Sequence, residues 1–123
     1  MAKRKWGRVV NITSVGVYRG GMRMTSAPYE ASKGAISVFT KMYANHGALD
    51  GILVNTVCPG MMATPMLLET TSKEILDEIA LDTPLKRMAD PIEVARMIVW
   101  ICSDKNTYST GATFDINGGW VMP

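Results

Sequence analysis

Histidine occurs once in these 123 residues and cysteine twice, and that scarcity removes several kinds of chemistry at the outset. Cys58 and Cys102 lie far apart and outside any Cys-x-x-Cys or Cys/His spacing. Neither a metal site nor a disulfide framework is therefore expected, and both read as free thiols in apolar elements. Charge of one sign is also lacking: 13 basic against 11 acidic residues leave a net charge of +2. So weak a field implies neither nucleic acid nor an acidic membrane as a partner. No window approaches the 18 or so apolar residues of a membrane span, and the N-terminal charges precede no apolar run of signal-peptide length. Repeats and low-complexity tracts are absent as well. A soluble protein of a reducing, cytoplasmic compartment is the expectation.

What is present is apolar material: 47% of the chain is hydrophobic, in the range of one globular domain with a real core. Lys3, Arg4, Lys5 and Arg8 read as a solvated lead into a first buried strand, Arg8 to Ser14 (RVVNITS), β-branched and closed by small polar residues. Residues 15–27 hold three glycines and no clean period, which predicts a loop. A helix is expected from Pro28 to about Asn45, with Gly47 ending it. Residues 52–60 (ILVNTVCPG) read as a second buried strand, 61–71 as an apolar loop or short helix, and Ser72 to Ala80 as a small amphipathic helix.

At Asp90 an N-cap acid, a proline and Glu93 three residues on predict a well-defined helix start. Residues 113–116 (TFDI) make a third strand, and Asn117-Gly118-Gly119 a turn rather than a ligand site. Strand, helix, strand, helices, strand is an α/β order, and continuous apolar strands favour a parallel sheet covered on both faces. Ligands of such sheets bind beyond the carboxyl ends of the strands, where Ser14 and Pro59-Gly60 fall.

Tyr29 and Lys33 stand four apart in the segment SAPYEASKGAISVF, so they share one helix face and the ammonium can sit close to the phenol. Tyr-x-x-x-Lys is a short pattern that chance also produces, and alone it leaves open whether these are two surface side chains or an acid and its cation. Asn11 reads as a satisfied polar residue of a strand. His46, close to a helix end, reads as a side chain favoured by the helix dipole and without a catalytic part.

Taken together, GRVVNITS, Tyr29-x-x-x-Lys33, NTVCPGMMATPM, DPIEVARMIVWICSD and TGATFDINGGW resemble, in order and spacing, the short-chain dehydrogenase/reductase family, in its compact bacterial form that includes the 3-oxoacyl carrier-protein reductases. The resemblance spans nearly the whole chain. It implies the carboxyl-terminal part of a doubly wound, Rossmann-like parallel sheet with about three strands, and an enzyme that interconverts an alcohol and a carbonyl with NAD or NADP.

The resemblance assigns Tyr29 as general acid/base, Lys33 as the cation beside it and a holder of the cofactor ribose, and Ser14 as the hydroxyl that fixes the substrate oxygen. A free phenol titrates near 10, and a nearby cation favours its ionised form. By the same resemblance Pro59 and Gly60 let the backbone approach the nicotinamide, and the Met62 main chain and Thr64 hydroxyl reach its carboxamide. Met22, Met24, Met61, Met62 and Met66 fall in the two loops expected to wall the pocket, which suggests a bulky hydrophobic ketone or alcohol as substrate.

The family runs to about twice this length. Its Gly-rich phosphate turn, its Asn-Ala-Gly segment and the helix with its catalytic asparagine have no counterpart here. The chain is thus expected to be a single partial domain lacking the dinucleotide-binding half, with the strand at 8–14 presenting an unpaired edge to a partner, a swapped domain or that half. Leu53 stands where the family usually has arginine, and the stretch between Ser14 and Tyr29 is about two residues longer than in close relatives. A homo-oligomer is expected, since the helix at 28–45 packs in the family's subunit interface. A non-catalytic chain docking through the sheet edge and that helix is the alternative.

Overall fold

The computed structural model describes residues 1–21 and 24–123. Three strands, β1 (Gly7–Ile12), β2 (Ile52–Pro59) and β3 (Thr113–Ile116), form one parallel sheet in the order β1-β2-β3. The register pairs Val9 with Val54 and Val57 with Phe114. Since paired residues of a parallel sheet share a face, each strand sends alternate side chains to opposite layers.

One layer is α2 (Ala27–Gly47), which carries the chain from β1 to β2 and contributes buried Thr40 and Ala44. Asn11 of β1 points to this face and donates to Thr40 Oγ1 at 2.9 Å, the satisfied polar residue expected of it. The other layer is α5 (Pro91–Ile101), whose Val94 and Ile101 join Val57 in a buried cluster backed by Val10, Phe114 and Ile116. Asp90 caps α5 as the sequence predicts: its carboxylate accepts from the Ile92 amide at 3.0 Å, and Glu93 Oε2 accepts from the Asp90 amide at 2.9 Å.

Only the middle strand is buried. From Val54 on, β2 is shielded along its length, whereas β1 and β3 are mostly half-buried because each is an edge. The reading of residues 8–14 as a buried strand is corrected accordingly: β1 stops at Ile12 and lies at the margin of the sheet. Residues 15–27 are not all loop either, because α1 (Gly16–Arg19) and a 3-10 turn at Met24–Ser26 occupy much of the stretch. Gly20, with φ 72°, ends α1 in a conformation that side-chain-bearing residues avoid. After β2 come α3 (Pro65–Thr70), which resolves the alternative left open at 61–71 in favour of a short helix, and α4 (Lys73–Asp82).

Candidate active site

The site forms where β1 and β2 end. Beyond Ile12 the chain stays tied to β2, with the Thr13 amide on the Val57 carbonyl at 2.9 Å and the Val15 amide on the Pro59 carbonyl at 3.1 Å. Ser14 is thereby held at a fixed height above the sheet. Its Oγ accepts from the Gly16 amide at 3.1 Å, which uses a lone pair and leaves the hydroxyl proton for another acceptor. Tyr29, on the first turn of α2, is half-exposed, and with Ser14 it lines a cleft of about 450 Å³.

Lys33 lies one turn further along α2. Its ammonium is 5.6 Å from the Tyr29 ring centroid and donates to the Ile12 carbonyl at 3.0 Å. One N–H of three is thus committed, and the last carbonyl of β1 fixes where the cation stands. A second phenol, Tyr18 of α1, lies outside the cleft lining. Burial, and next the Asp115 carboxylate, push its pKa above the ordinary value, the wrong direction for moving protons near neutrality.

Lys33 itself is not in the cleft lining, and the other residues predicted for the site, Pro59, Gly60, Met62 and Thr64, gather at the end of β2 and do not line it either. Gly60 donates its amide to the Ile116 carbonyl at 2.9 Å, and a Cβ there would stand 2.8 Å from Asn117 Cα. Its lack of a side chain is therefore required by the crossing of two backbones, whatever else it admits. Met62 forms a bridge with Ala89 and packs its side chain on the Val57 cluster. Thr64 caps α3, its hydroxyl accepting from the Leu67 amide at 3.4 Å.

The methionine wall is largely corrected. Met61 lines the cleft, but Met62 is turned to the core, and Met24 and Met66 are exposed to solvent at 89% and 75%. Flexible apolar side chains need not face the space their loop surrounds. Met22 lies outside the described residues.

Sequence reasoning gave no site role to the other lining residues Arg19, Glu30, Leu67, Ile75, Ile79 and Trp120. Glu30, beside Tyr29, lays its carboxylate over Gly16, leaving no room there for a Cβ, and Oε2 is buried with no hydrogen-bond partner among the described residues. Trp120 follows the Asn-Gly-Gly turn directly, and that turn was the available signal. Asn117 shapes it from within, accepting from the Gly119 amide at 2.9 Å and donating to the Val121 carbonyl at 2.8 Å.

Ser14 and Tyr29 thus share a cleft at the carboxyl ends of parallel strands, with Lys33 beside Tyr29. The family profile described as Enoyl-(Acyl carrier protein) reductase matches residues 1–121. The chain belongs to the short-chain dehydrogenase/reductase family. It is similar to the acetoacetyl-CoA reductases of Cupriavidus necator and an Acinetobacter species, with 40% and 41% identity over 122 residues. Each alignment takes in 99% of this chain and 48% of the relative.

Among solved structures, the short-chain dehydrogenase/reductase (glucose/ribitol dehydrogenase) of Brucella melitensis superposes with a TM-score of 0.85 at 37% identity, over 94% of this chain and 46% of that one. A protein of Thermus thermophilus superposes with a TM-score of 0.90 at 34% identity, over 98% of this chain and 51% of that one. The chain spans about half the length of the curated relatives it matches. No helix among the described residues is long and apolar enough to cross a membrane.

Proposed function

We propose that this chain is the catalytic, carboxyl-terminal half of an NAD- or NADP-dependent oxidoreductase that interconverts an alcohol and a carbonyl. The observation that carries the reading is the convergence of Ser14 and Tyr29 on one cleft with Lys33 held beside Tyr29. In the reducing direction Ser14 donates a hydrogen bond to the substrate carbonyl oxygen and positions it. Tyr29 passes its proton to that oxygen, and the phenolate left behind is stabilised by Lys33 until solvent reprotonates it.

A nicotinamide cofactor, when bound, supplies the hydride. The donors present suit its nicotinamide-ribose end: Lys33 keeps two N–H groups for ribose hydroxyls, and the Thr64 hydroxyl keeps its proton for a carboxamide oxygen. Pro59, Gly60 and the Met62 main chain complete that side. Phosphate binding is left to a glycine-rich half outside these residues.

The names of the acetoacetyl-CoA reductases make a 3-oxoacyl thioester the first substrate to try. Met61, Leu67, Ile75 and Ile79 in the lining support an apolar substrate of some size. The test is nucleotide oxidation with 3-oxoacyl thioesters and alkanones, by the chain alone and joined in one polypeptide to a relative's dinucleotide-binding half. Tyr29→Phe should lower turnover about 10²–10⁴-fold. An unchanged rate in that variant would refute the assignment.

A second reading, a chain that assembles with copies of itself, is supported by the exposed face of α2. Phe39 and Tyr43 stack there with centroids 4.2 Å apart while 50% and 53% exposed, close to the open edge of β1. Native mass measurement tests it: a monomer at all concentrations excludes it.

A further inference from the structure

The Asn117-Gly118-Gly119 turn holds more than a change of direction. Gly118 and Gly119 both have positive φ, 65° and 81°, and the turn is pressed against the end of α4: a Cβ on Gly118 would stand 2.8 Å from Thr83 Cγ2. The Leu85 amide also bonds the Gly118 carbonyl at 3.3 Å. This docking brings Trp120 across from Asp82, the last residue of α4, and the indole N–H donates to Asp82 Oδ2 at 2.5 Å.

Arg19, the last residue of α1, lays its guanidinium over the indole, 4.4 Å from the ring centroid, and reaches the same Oδ2 at 3.4 Å. Three elements that border the cleft are thus fastened through one ring and one carboxylate oxygen. Arg19 and Trp120 both line the cleft, together with Ile75 and Ile79 of α4. The ring is held on an edge by Asp82 and on a face by Arg19, so its position is determined by partners outside the reacting groups.

We propose that Trp120 is the specificity-determining wall of the cleft, against which an extended apolar substituent of the carbonyl substrate rests, with Asp82 and Arg19 as positioning residues for the ring. The proposal rests on the reading of this cleft as the carbonyl site. A ring held at two points favours one orientation, so it selects by shape as well as by apolar area. Loss of the ring leaves the space beside Ser14 and Tyr29 intact and removes the surface that rewards chain length. Selectivity between long and short substrates is then the quantity that changes.

The experiment is a titration of the 123-residue chain with 2-butanone and 2-octanone, read by amide and indole N–H chemical shifts. In the wild type both ketones should shift Ser14 and Tyr29, and only 2-octanone should shift the Trp120 indole. Trp120→Ala should cut the preference for 2-octanone over 2-butanone about tenfold. Trp120→Phe, which keeps a ring on Arg19 and gives up the bond to Asp82, should fall between them and guards against misfolding of the alanine variant. Asp82→Ala should resemble Trp120→Phe. Unchanged preference in Trp120→Ala, with both ketones still shifting Ser14 and Tyr29, overturns the role of Trp120 alone. If neither ketone shifts Ser14 or Tyr29 in any variant, the cleft is not the carbonyl site and the proposal falls with that reading.

Discussion

The ammonium of Lys33 stands 5.6 Å from the ring centroid of Tyr29 and 3.0 Å from the carbonyl oxygen of Ile12. A helix spacing of four brings the two side chains to one face, and the strand end then pins the longer one. Lysine side chains hold considerable rotamer freedom, so the Ile12 bond does part of the ordering before any ligand arrives. Lys33→Met removes the cation and the donor while keeping the apolar stem. In the joined polypeptide it should lower kcat/KM by about a hundredfold or more, with the nucleotide KM rising as well. Steady-state kinetics over both substrates checks this, and a change in the ketone KM alone would contradict it.

Gly60 faces Asn117 across the ends of β2 and β3. Gly60→Ala places a methyl 2.8 Å from the Asn117 Cα, a backbone atom that cannot rotate away. The expected cost is about 1–3 kcal/mol, read as a lowered urea midpoint with unchanged slope. Gly34→Ala is the control, since a Cβ there meets nothing within 4 Å among the described residues. On a helix that change should be neutral or stabilising.

Asn55 is fully buried in β2, where its amide donates to the Ser109 carbonyl at 2.7 Å and its carbonyl accepts from the Ala112 amide at 3.1 Å. It ties the segment leading into β3 onto the central strand. Asn55→Ala leaves the Ala112 amide without its acceptor, while the Ser109 carbonyl keeps the Asn106 side-chain amide at 3.3 Å; the expected cost is about 1–3 kcal/mol, measured by chemical denaturation. Hydrogen exchange at Ala112 should rise at the same time.

Burial pushes the Cys58 thiol up to about 11, against an ordinary 9.0, while Cys102 is only partly buried. At neutral pH a thiol reagent should label Cys102 and spare Cys58 until the chain unfolds. Between 9.0 and about 11 the folded thiol keeps a proton that the unfolded one has lost. Stability therefore falls as pH rises through that window. Cys58→Ala should abolish that part of the pH dependence.

Glu93 behaves in the opposite sense. The paired Arg87 guanidinium, followed by the Asp90 amide, lowers its pKa from 4.5 to about 2. Both oxygens are engaged by Arg87, at 2.7 and 2.8 Å. The contribution is complete above about 4.5 and is lost as pH falls towards 2. Melting temperature should decline over that range in the wild type, and Glu93→Gln should flatten the decline. Added salt should weaken the effect, because the pair is solvent-exposed.

Some of this was legible along the chain and some was not. Asp90 and Glu93 announce their helix because both halves of a capping box lie within three residues. The strands at 52–60 and 113–116 were readable from β-branched runs between turns, and Tyr29 with Lys33 from a spacing of four. The extent of α1 was hidden, since it begins on Gly16 and ends at Gly20 and a helix of four residues has no period to detect. The methionine wall failed for a related reason: two loops can be placed from sequence, but the direction of each flexible side chain depends on what packs beneath it.

By itself the sequence determined the order of elements, the capped start of α5, the shared face of Tyr29 and Lys33, and membership of a family, because these depend on neighbours within a few positions or on motifs in order. The tertiary structure alone decided which strand is buried, that Gly60 must pass Asn117, that Asn55 binds Ser109 and Ala112, and that Trp120 is held between Asp82 and Arg19. The hydrogen-bonded and ion-paired partners among these lie 38 residues or more apart, and the crossing of Gly60 and Asn117 is equally remote. Contacts at such separations leave no periodic trace, and they exist only once the sheet has brought its strand ends to one edge.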